Sequence, residues 1–355
     1  MNIAIAGAGL VGRVLALALL KDNEHSITMF EKDSKEGISS AGFTAAGMLA
    51  PFSELETAES IISQLGQISI RLWPSLLKEI GLCDGYEQNG SIITAHPQDM
   101  SELEHFIGRL KQKTDVSQSI ESLDQEALKS LEPALYSHQK GFLVKNEGVI
   151  DAQRFISFSN DYFDKQANIT IQEQTEVKSI GAHKVHLLNS TEQFDWVFDA
   201  RGLGAKEYFE DLRGVRGEVL WVETDEININ RPTRIMHPRY KIYIVPRNND
   251  SKANSTTGTK RYIIGATEIE SEDLSPISVR STMELLSALY TVHPSFGEAR
   301  VVISETNCRP AFRDNLPRIE NKKGLTRING LYRHGWLLAP AIIEKALDEG
   351  IRNKG

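Results

Sequence analysis

The feature that most constrains this chain stands at its start. Asn2 to Ala6 is a short apolar run, Gly7-Ala8-Gly9-Leu10-Val11-Gly12 fits the spacing G-x-G-x-x-G, Arg13 to Lys21 is rich in Leu and Ala, and Ser26 to Glu31 is a second strand-like run. Strand, glycine turn, helix and strand in that order make a right-handed βαβ unit. The glycines permit a tight turn, and the helix after them directs unpaired N–H groups at a pyrophosphate. Glu31 lies nineteen positions beyond Gly12, where a carboxylate accepts hydrogen bonds from a ribose hydroxyl. The same carboxylate repels a 2′-phosphate and so disfavours NADP. Lys32, next to it, is counted with the cofactor-binding residues. The fingerprint alone does not separate NAD from FAD.

Composition narrows the class. With 355 residues, 40 % of them apolar, the chain is long enough for roughly two domains with a buried core. A net charge of −8 argues against nucleic acid and anionic membrane surfaces, so small molecules are the expected partners. Cys83 and Cys308 are far apart and outside any C-x-x-C, which suggests neither a disulfide framework nor zinc and suits the cytoplasm. Met1 to Leu20 is apolar but lacks a basic start and is broken by glycines, so it reads as retained structure rather than a leader. No run reaches the ~18 apolar residues of a membrane-spanning helix. His183 and His186 would face opposite sides of a strand without further ligands, so no metal is expected. The acidic stretch Glu121 to Glu132 reads as a solvated helix face. A G-x-S-x-G elbow and a P-loop lysine are both missing, which removes hydrolase and NTPase readings.

Along the chain, Ser39 to Pro51 is expected as a small-residue loop and Glu54 to Leu82 as one helix, from the spacing of Ile61, Ile62, Leu65, Ile68 and Leu72. A strand at Gly90 to Thr94 and helices at Met100 to Lys113, Asp124 to Leu131 and Phe155 to Ala167 follow. Strands are expected at Ile169 to Ile180, Lys184 to Leu188 and Trp196 to Ala200. Glu218 to Glu223, Tyr240 to Val245 and Arg261 to Ala266 alternate as antiparallel strands, with Asn248 to Thr259 as a mobile hairpin tip. A loop from Leu331 leads into a last helix, Ala341 to Arg352.

Five short blocks decide between the cofactors. Ser40-Ala41-Gly42-Phe43-Thr44-Ala45-Ala46-Gly47-Met48-Leu49-Ala50-Pro51, Tyr243-Ile244-Val245-Pro246-Arg247, Gly265-Ala266-Thr267, Cys308-Arg309-Pro310 and Tyr332-Arg333-His334-Gly335-Trp336-Leu337-Leu338-Ala339-Pro340 resemble, in order and spacing, the glycine oxidase and D-amino-acid oxidase family. The resemblance implies an FAD-dependent oxidoreductase of α/β (α+β overall) class. A Rossmann-like FAD-binding domain, 1–84, 150–216 and 305–355, is then interwoven with a mostly antiparallel β-sheet substrate domain, 85–149 and 217–304. It also implies that Ala45, Ala46, Gly47 and Met48 lie by the flavin, that Val177 meets the adenine from a strand, and that Gly202 closes over the cofactor. Arg309, Arg333, His334, Gly335, Trp336 and Leu337 are expected near the flavin ring.

On the substrate side, Arg309 matches the family's carboxylate-binding arginine, whose planar fork can take both oxygens. Tyr243 matches a tyrosine that adds a phenolic hydrogen bond, and Arg333 joins them. The implied reaction moves a hydride from the α-carbon of a small amine or amino acid to flavin N5. The imine then hydrolyses to an oxo acid and ammonia, and oxygen reoxidises the flavin. No residue is singled out as acid or base, because the cofactor carries the electrons.

Plainer roles stay open for the same residues: a structural ion pair for Arg309, a sheet-core aromatic for Tyr243, core filling for Trp336 and a hydrogen-bonded spacer for His334. The last two are preferred over direct roles. Arg201 stands where the family has Thr or Ser before Gly202. Asn307 holds the place of the cysteine that carries covalent flavin in some members, so noncovalent FAD is expected. Ala311, Phe312 and Arg313 make the pocket bulkier and more basic. The rival readings are an FAD-dependent dehydrogenase using a quinone or other acceptor, a flavoprotein acting on a secondary-metabolite or partner-bound amine, an NAD-dependent dehydrogenase, and a flavin-binding protein without turnover. A homo-oligomer is left open.

Overall fold

A computed structural model describes all residues except 23, 114–117, 239–240, 248–257 and 353–355. The opening unit forms as read. Asn2–Ala6 runs parallel to Ser26–Phe30 on one side and Trp196–Asp199 on the other, inside a six-stranded sheet. Ile169–Gln172 and Leu325–Asn329 continue it in parallel, and Arg318–Lys322 closes one edge antiparallel. Helices Leu10–Leu20, Ser60–Glu79 and Gly335–Glu349 pack together against this sheet, and Trp73, Phe155 and Trp336 fill the space between them. Trp73 stacks on Trp336 with ring centroids 5.5 Å apart, and Phe155 meets both edge-on.

A second sheet of nine strands is antiparallel except where Thr233–Met236 meets Ser91–Ala95. Its strand Arg213–Thr224 lies between Lys260–Gly265 and Arg300–Ala311. Strand alternation gives the sheet two distinct faces. Leu220, Val222, Ile242, Ile244, Tyr262 and Ile264 pack with Leu285, Leu289 and Val292 of helix Val279–Val292. Val219, Trp221, Val245 and Ile263 pack the other way, with Ala46 and Val149. The candidate site lies on that second face. Among the described residues no helix is long and apolar enough to cross a membrane.

Several local expectations are corrected. The first helix begins at Leu10, not Arg13, because Gly9 is its N-cap and the last half of the glycine turn is already its first turn. Glu54 to Leu82 splits into a 3₁₀ turn, Ser53–Glu56, and a helix, Ser60–Glu79: buried Glu147 holds the Ser53 N–H (2.7 Å), and Glu59 stays extended as the helix N-cap. The loop Ser39 to Pro51 contains a short helix, Ala41–Thr44, and a strand, Met48–Leu49, that pairs with Gly148–Ile150. Asp151 caps the helix Ala152–Phe163, which therefore starts before Phe155. The run Ile169 to Ile180 breaks into Ile169–Gln172 and Ser179–Gly181 around Gln174 at φ +53°, so Val177 lies in the connection and not in a strand.

The last helix starts at Gly335 rather than Ala341 and runs through Pro340. Proline frees the Trp336 carbonyl, which accepts instead from the Trp73 indole at 2.9 Å. Glu132, at the end of the expected solvated face, is fully buried and pairs with Arg231 at 2.8 Å. Tyr240 and nearly all of the loop Asn248 to Thr259 fall outside the described residues.

Candidate functional site

At one end of the site the backbone does most of the building. Gly7 sits at φ +96°, and a Cβ there would meet the Ala200 carbonyl oxygen at 2.6 Å. A Cβ on Gly12 would lie 1.9 Å from the Gly7 carbonyl oxygen. The helix that follows has no side-chain cap, so its first-turn N–H groups are free for an anion. Glu31 accepts from Ala8 N–H at 2.9 Å and Asp33 N–H at 3.1 Å, which fixes its carboxylate beside the turn. These features fit the pyrophosphate and ribose of a dinucleotide.

Arg13, which sequence reasoning passed over, is fully buried behind the turn. It donates to the Ala8 carbonyl (2.8 Å), Ser159 Oγ (2.9 Å) and Asn160 Oδ1 (2.7 Å), and burial lowers its pKa to about 10. Arg201 explains its own bulk: it binds Asp199 (2.9 Å), Glu207 and the Val177 carbonyl (3.2 Å), tying the Val177 segment to the Gly202 turn. Lys32 is exposed and pairs with Asp33.

Across from this end, glycines make room on the second sheet. A Cβ on Gly217 would fall 2.2 Å from Arg309 Nη2, and one on Gly265 would fall 2.7 Å from the Tyr243 hydroxyl. Arg309 donates only to carbonyls, those of Thr267 (3.2 Å) and Arg216 (3.5 Å), and forms no ion pair among the described residues. Burial raises the Tyr243 pKa, with the Arg309 and Arg234 charges opposing it, so the phenol stays protonated. Arg247, two side chains further along the same face, donates to the Ala46 carbonyl at 2.6 Å and braces the segment of Ala45, Ala46, Gly47 and Met48. Gly47 is at φ +63°, and a Cβ there would lie 1.9 Å from the Ile150 carbonyl oxygen.

A third group lies beside the second sheet's Arg309 and Tyr243. Glu54 accepts from Arg234 Nη2 (2.6 Å) and Arg333 Nε (2.9 Å), while Arg333 Nη1 reaches Glu268 (3.0 Å) and its Nη2 reaches Thr57. Burial opposes charge on Glu54, yet Arg234 and Arg333 hold its carboxyl well below the usual range. His334 is buried, with Nδ1 3.3 Å from Glu54 Oε2 but no hydrogen bond there. Burial pushes its pKa down to about 4, and the neighbouring arginines add to this. Its backbone N–H donates to the Leu331 carbonyl at 3.0 Å, and its ring packs beside Glu54 without a hydrogen bond from Nδ1. Trp336 is core, as preferred, with its indole donating to the Gly42 carbonyl at 3.0 Å.

The structure therefore brings Arg309 and Tyr243 to one face and places Arg333 in a separate ion-pair network. Val177, Gly202 and Glu31 stand together with Gly7 at the far end. Sequence reasoning missed Glu54, Arg234, Arg247 and Glu268. Arg247 lies inside a quoted block, but its burial was invisible there.

A βαβ dinucleotide cradle together with an antiparallel sheet that presents an arginine without an ion-pair partner beside a tyrosine fits a dinucleotide-dependent oxidoreductase. The chain belongs to the DAO family of FAD-dependent oxidoreductases, which residues 2–346 match. It is 36 % identical over 344 residues to the putative thiamine biosynthesis oxidoreductase ThiO of Rhizobium etli, covering 96 % of this chain and 94 % of that protein. Its fold matches glycine oxidase from Bacillus cereus with a TM-score of 0.81 at 24 % identity, covering 98 % and 96 % of the two chains. Iminodiacetate oxidase from Chelativorans sp. matches with a TM-score of 0.79 at 17 % identity, covering 97 % and 94 %. The chain is a glycine-oxidase-like FAD-dependent oxidoreductase, and the NAD-dependent reading falls away.

Proposed function

We propose that this chain oxidises a small primary or secondary α-amino acid at its Cα–N bond. The observation that carries this reading is Arg309: a cation without a carboxylate partner, floored by Gly217, on the face it shares with Tyr243. A guanidinium left unpaired in such a place suits an incoming carboxylate, which it can hold through two parallel hydrogen bonds. Tyr243, kept protonated, donates a further one. Together they fix the α-carbon against the segment Ala45 to Met48.

FAD, when bound, supplies the two-electron acceptance by which the α-carbon loses a hydride. Gly7, Gly9, Gly12, Glu31 and Lys32 hold its adenosine-diphosphate half, with Val177 and Gly202 at the adenine side. The uncapped N-terminus of Gly335–Glu349, at Arg333 to Leu337, presents N–H groups and the positive end of a helix dipole to the flavin. The binding is noncovalent: Asn307 spends its amide on Ser39 and Thr44, and the buried Cys308 sulfur lies toward the Ser271 and Asp273 carbonyls. The imine hydrolyses to an oxo acid and ammonia, or to an oxo acid and a primary amine where the amino acid is secondary, and dioxygen takes the electrons. The segments 1–84, 150–216 and 305–355 form the FAD-binding domain in this reading, and 85–149 and 217–304 the substrate domain.

Anaerobic addition of glycine, sarcosine and small D-amino acids to the yellow holoprotein tests it. Bleaching near 450 nm by one of them, slowed about 100-fold or more in Arg309→Met, is expected from the loss of a charged hydrogen-bond pair. A flavin that stays oxidised with every amino acid would overturn the assignment.

A further inference from the structure

Two arginines at the substrate end differ in one respect. Arg309 meets only backbone carbonyls, whereas Arg333 is fully engaged: Nε with Glu54 (2.9 Å), Nη1 with Glu268 (3.0 Å) and Nη2 with Thr57. Glu54 is locked, since its other oxygen is held by Arg234 at 2.6 Å and its side chain is only 13 % exposed. Glu268 is not. Its side chain is 52 % exposed, and it follows directly on Thr267, whose carbonyl accepts from Arg309. Its carboxylate thus sits on the segment that separates the two arginines. The Tyr332 hydroxyl also binds it, and although partial burial disfavours charge, Tyr332, Arg333 and Arg309 keep it ionised.

We infer that Glu268 is a specificity-determining residue that fills the outer side of Arg333 with the chain's own carboxylate, so that the site accepts substrates bearing one carboxylate and rejects those bearing two. This rests on the reading of Arg309 as the substrate's anchor. An amino acid whose carboxylate lies on Arg309 projects its second substituent toward neighbouring side chains. A neutral or absent substituent meets no penalty from Glu268. A second carboxylate meets a like charge and finds Arg333 already satisfied, which costs binding through repulsion and incomplete pairing. Removing the charge at 268 reverses both terms, because Arg333 Nη1 then has only a neutral acceptor, which an external carboxylate can displace.

The test compares holoenzymes with Glu268, Glu268→Gln and Glu268→Asp on two pairs of probes. The first pair is substrates: glycine against iminodiacetate, read as the ratio of their kcat/KM. The second pair is ligands that need no turnover: acetate against malonate, read from the shift each causes in the visible flavin spectrum. Glu268→Gln is expected to move both ratios toward the dicarboxylate by about tenfold or more, and Glu268→Asp to restore much of the native preference. A Gln variant whose acetate-to-malonate ratio equals that of the native protein would overturn the inference even if glycine is oxidised well. If neither amino acid is turned over but malonate gains in the Gln variant, the selection by Glu268 stands while the proposed reaction fails.

Discussion

The nucleotide end of the site is assembled from neighbours in the chain, the substrate end from strangers. Gly7, Gly9, Gly12 and Glu31 fall within one βαβ unit, and their geometry is set mainly by backbone contacts. At the other end, the hydrogen bond from Arg333 to Glu54 joins residues 279 positions apart, and that from Arg234 to Glu54 joins residues 180 apart. The difference teaches what each end tolerates. A backbone-built cradle is indifferent to most side-chain chemistry but not to an added Cβ. A network of charges gathered round the half-buried Glu54 can absorb small steric changes but not the loss of one sign.

The sharpest way to break this contrast is Gly12→Val. Its Cβ alone would lie 1.9 Å from the Gly7 carbonyl oxygen, with the crowding on backbone that has nowhere to go. The variant is expected to purify without flavin absorbance at 450 nm, whatever FAD is added. Native flavin content would mean that the turn can relax and is not the rigid cradle described.

Next in size is Glu54→Gln, which keeps shape and removes charge. Half-buried Arg234 and the more exposed Arg333 would then lose their common carboxylate, with Arg333 still paired to Glu268. Breaking such a network is expected to cost about 3 kcal/mol in urea unfolding, with FAD still bound. A native unfolding midpoint would show that the two arginines draw their compensation elsewhere, and the substrate end would be less interdependent than it looks.

How much of this was legible follows from the same contrast. The βαβ unit, the glycine turn and Glu31 could be read from spacing, because local sequence determines them. Arg309 and Tyr243 were found only because short blocks around them resemble a family; nothing in either residue's immediate neighbours shows that Gly217 and Gly265 floor them. Glu54 was read as the start of a long helix, since the apolar period after it is strong and the tertiary pull of Arg234 and Arg333 leaves no local trace. Pro340 was taken as the end of a loop for a similar reason: the partner that makes a proline tolerable inside that helix, Trp73, lies 263 positions from the carbonyl it satisfies.

The smallest expected effect uses pH to separate the substrate end from a remote buried group. His138 lies outside the site against His96, with ring centroids 5.0 Å apart, and burial followed by the His96 charge pushes its pKa down to about 4. His334, inside the site, is also pushed down to about 4. Both take up protons less readily folded than unfolded, where an ordinary histidine titrates near 6.5. Stability from these groups is therefore complete above about pH 6.5 and lost progressively as pH falls toward 4. The unfolding free energy from urea titration is expected to be lower at pH 5 than at pH 7.5 by about 2 kcal/mol for each of the two histidines in the native protein. His138→Gln should flatten that slope and leave the KM for glycine as it was. His334→Gln should flatten it too, but also raise KM, since its ring packs on the carboxylate that positions Arg333. Equal slopes with KM unmoved in both variants would mean that His334 is as remote from the chemistry as His138, and that the charged network ends at Glu54.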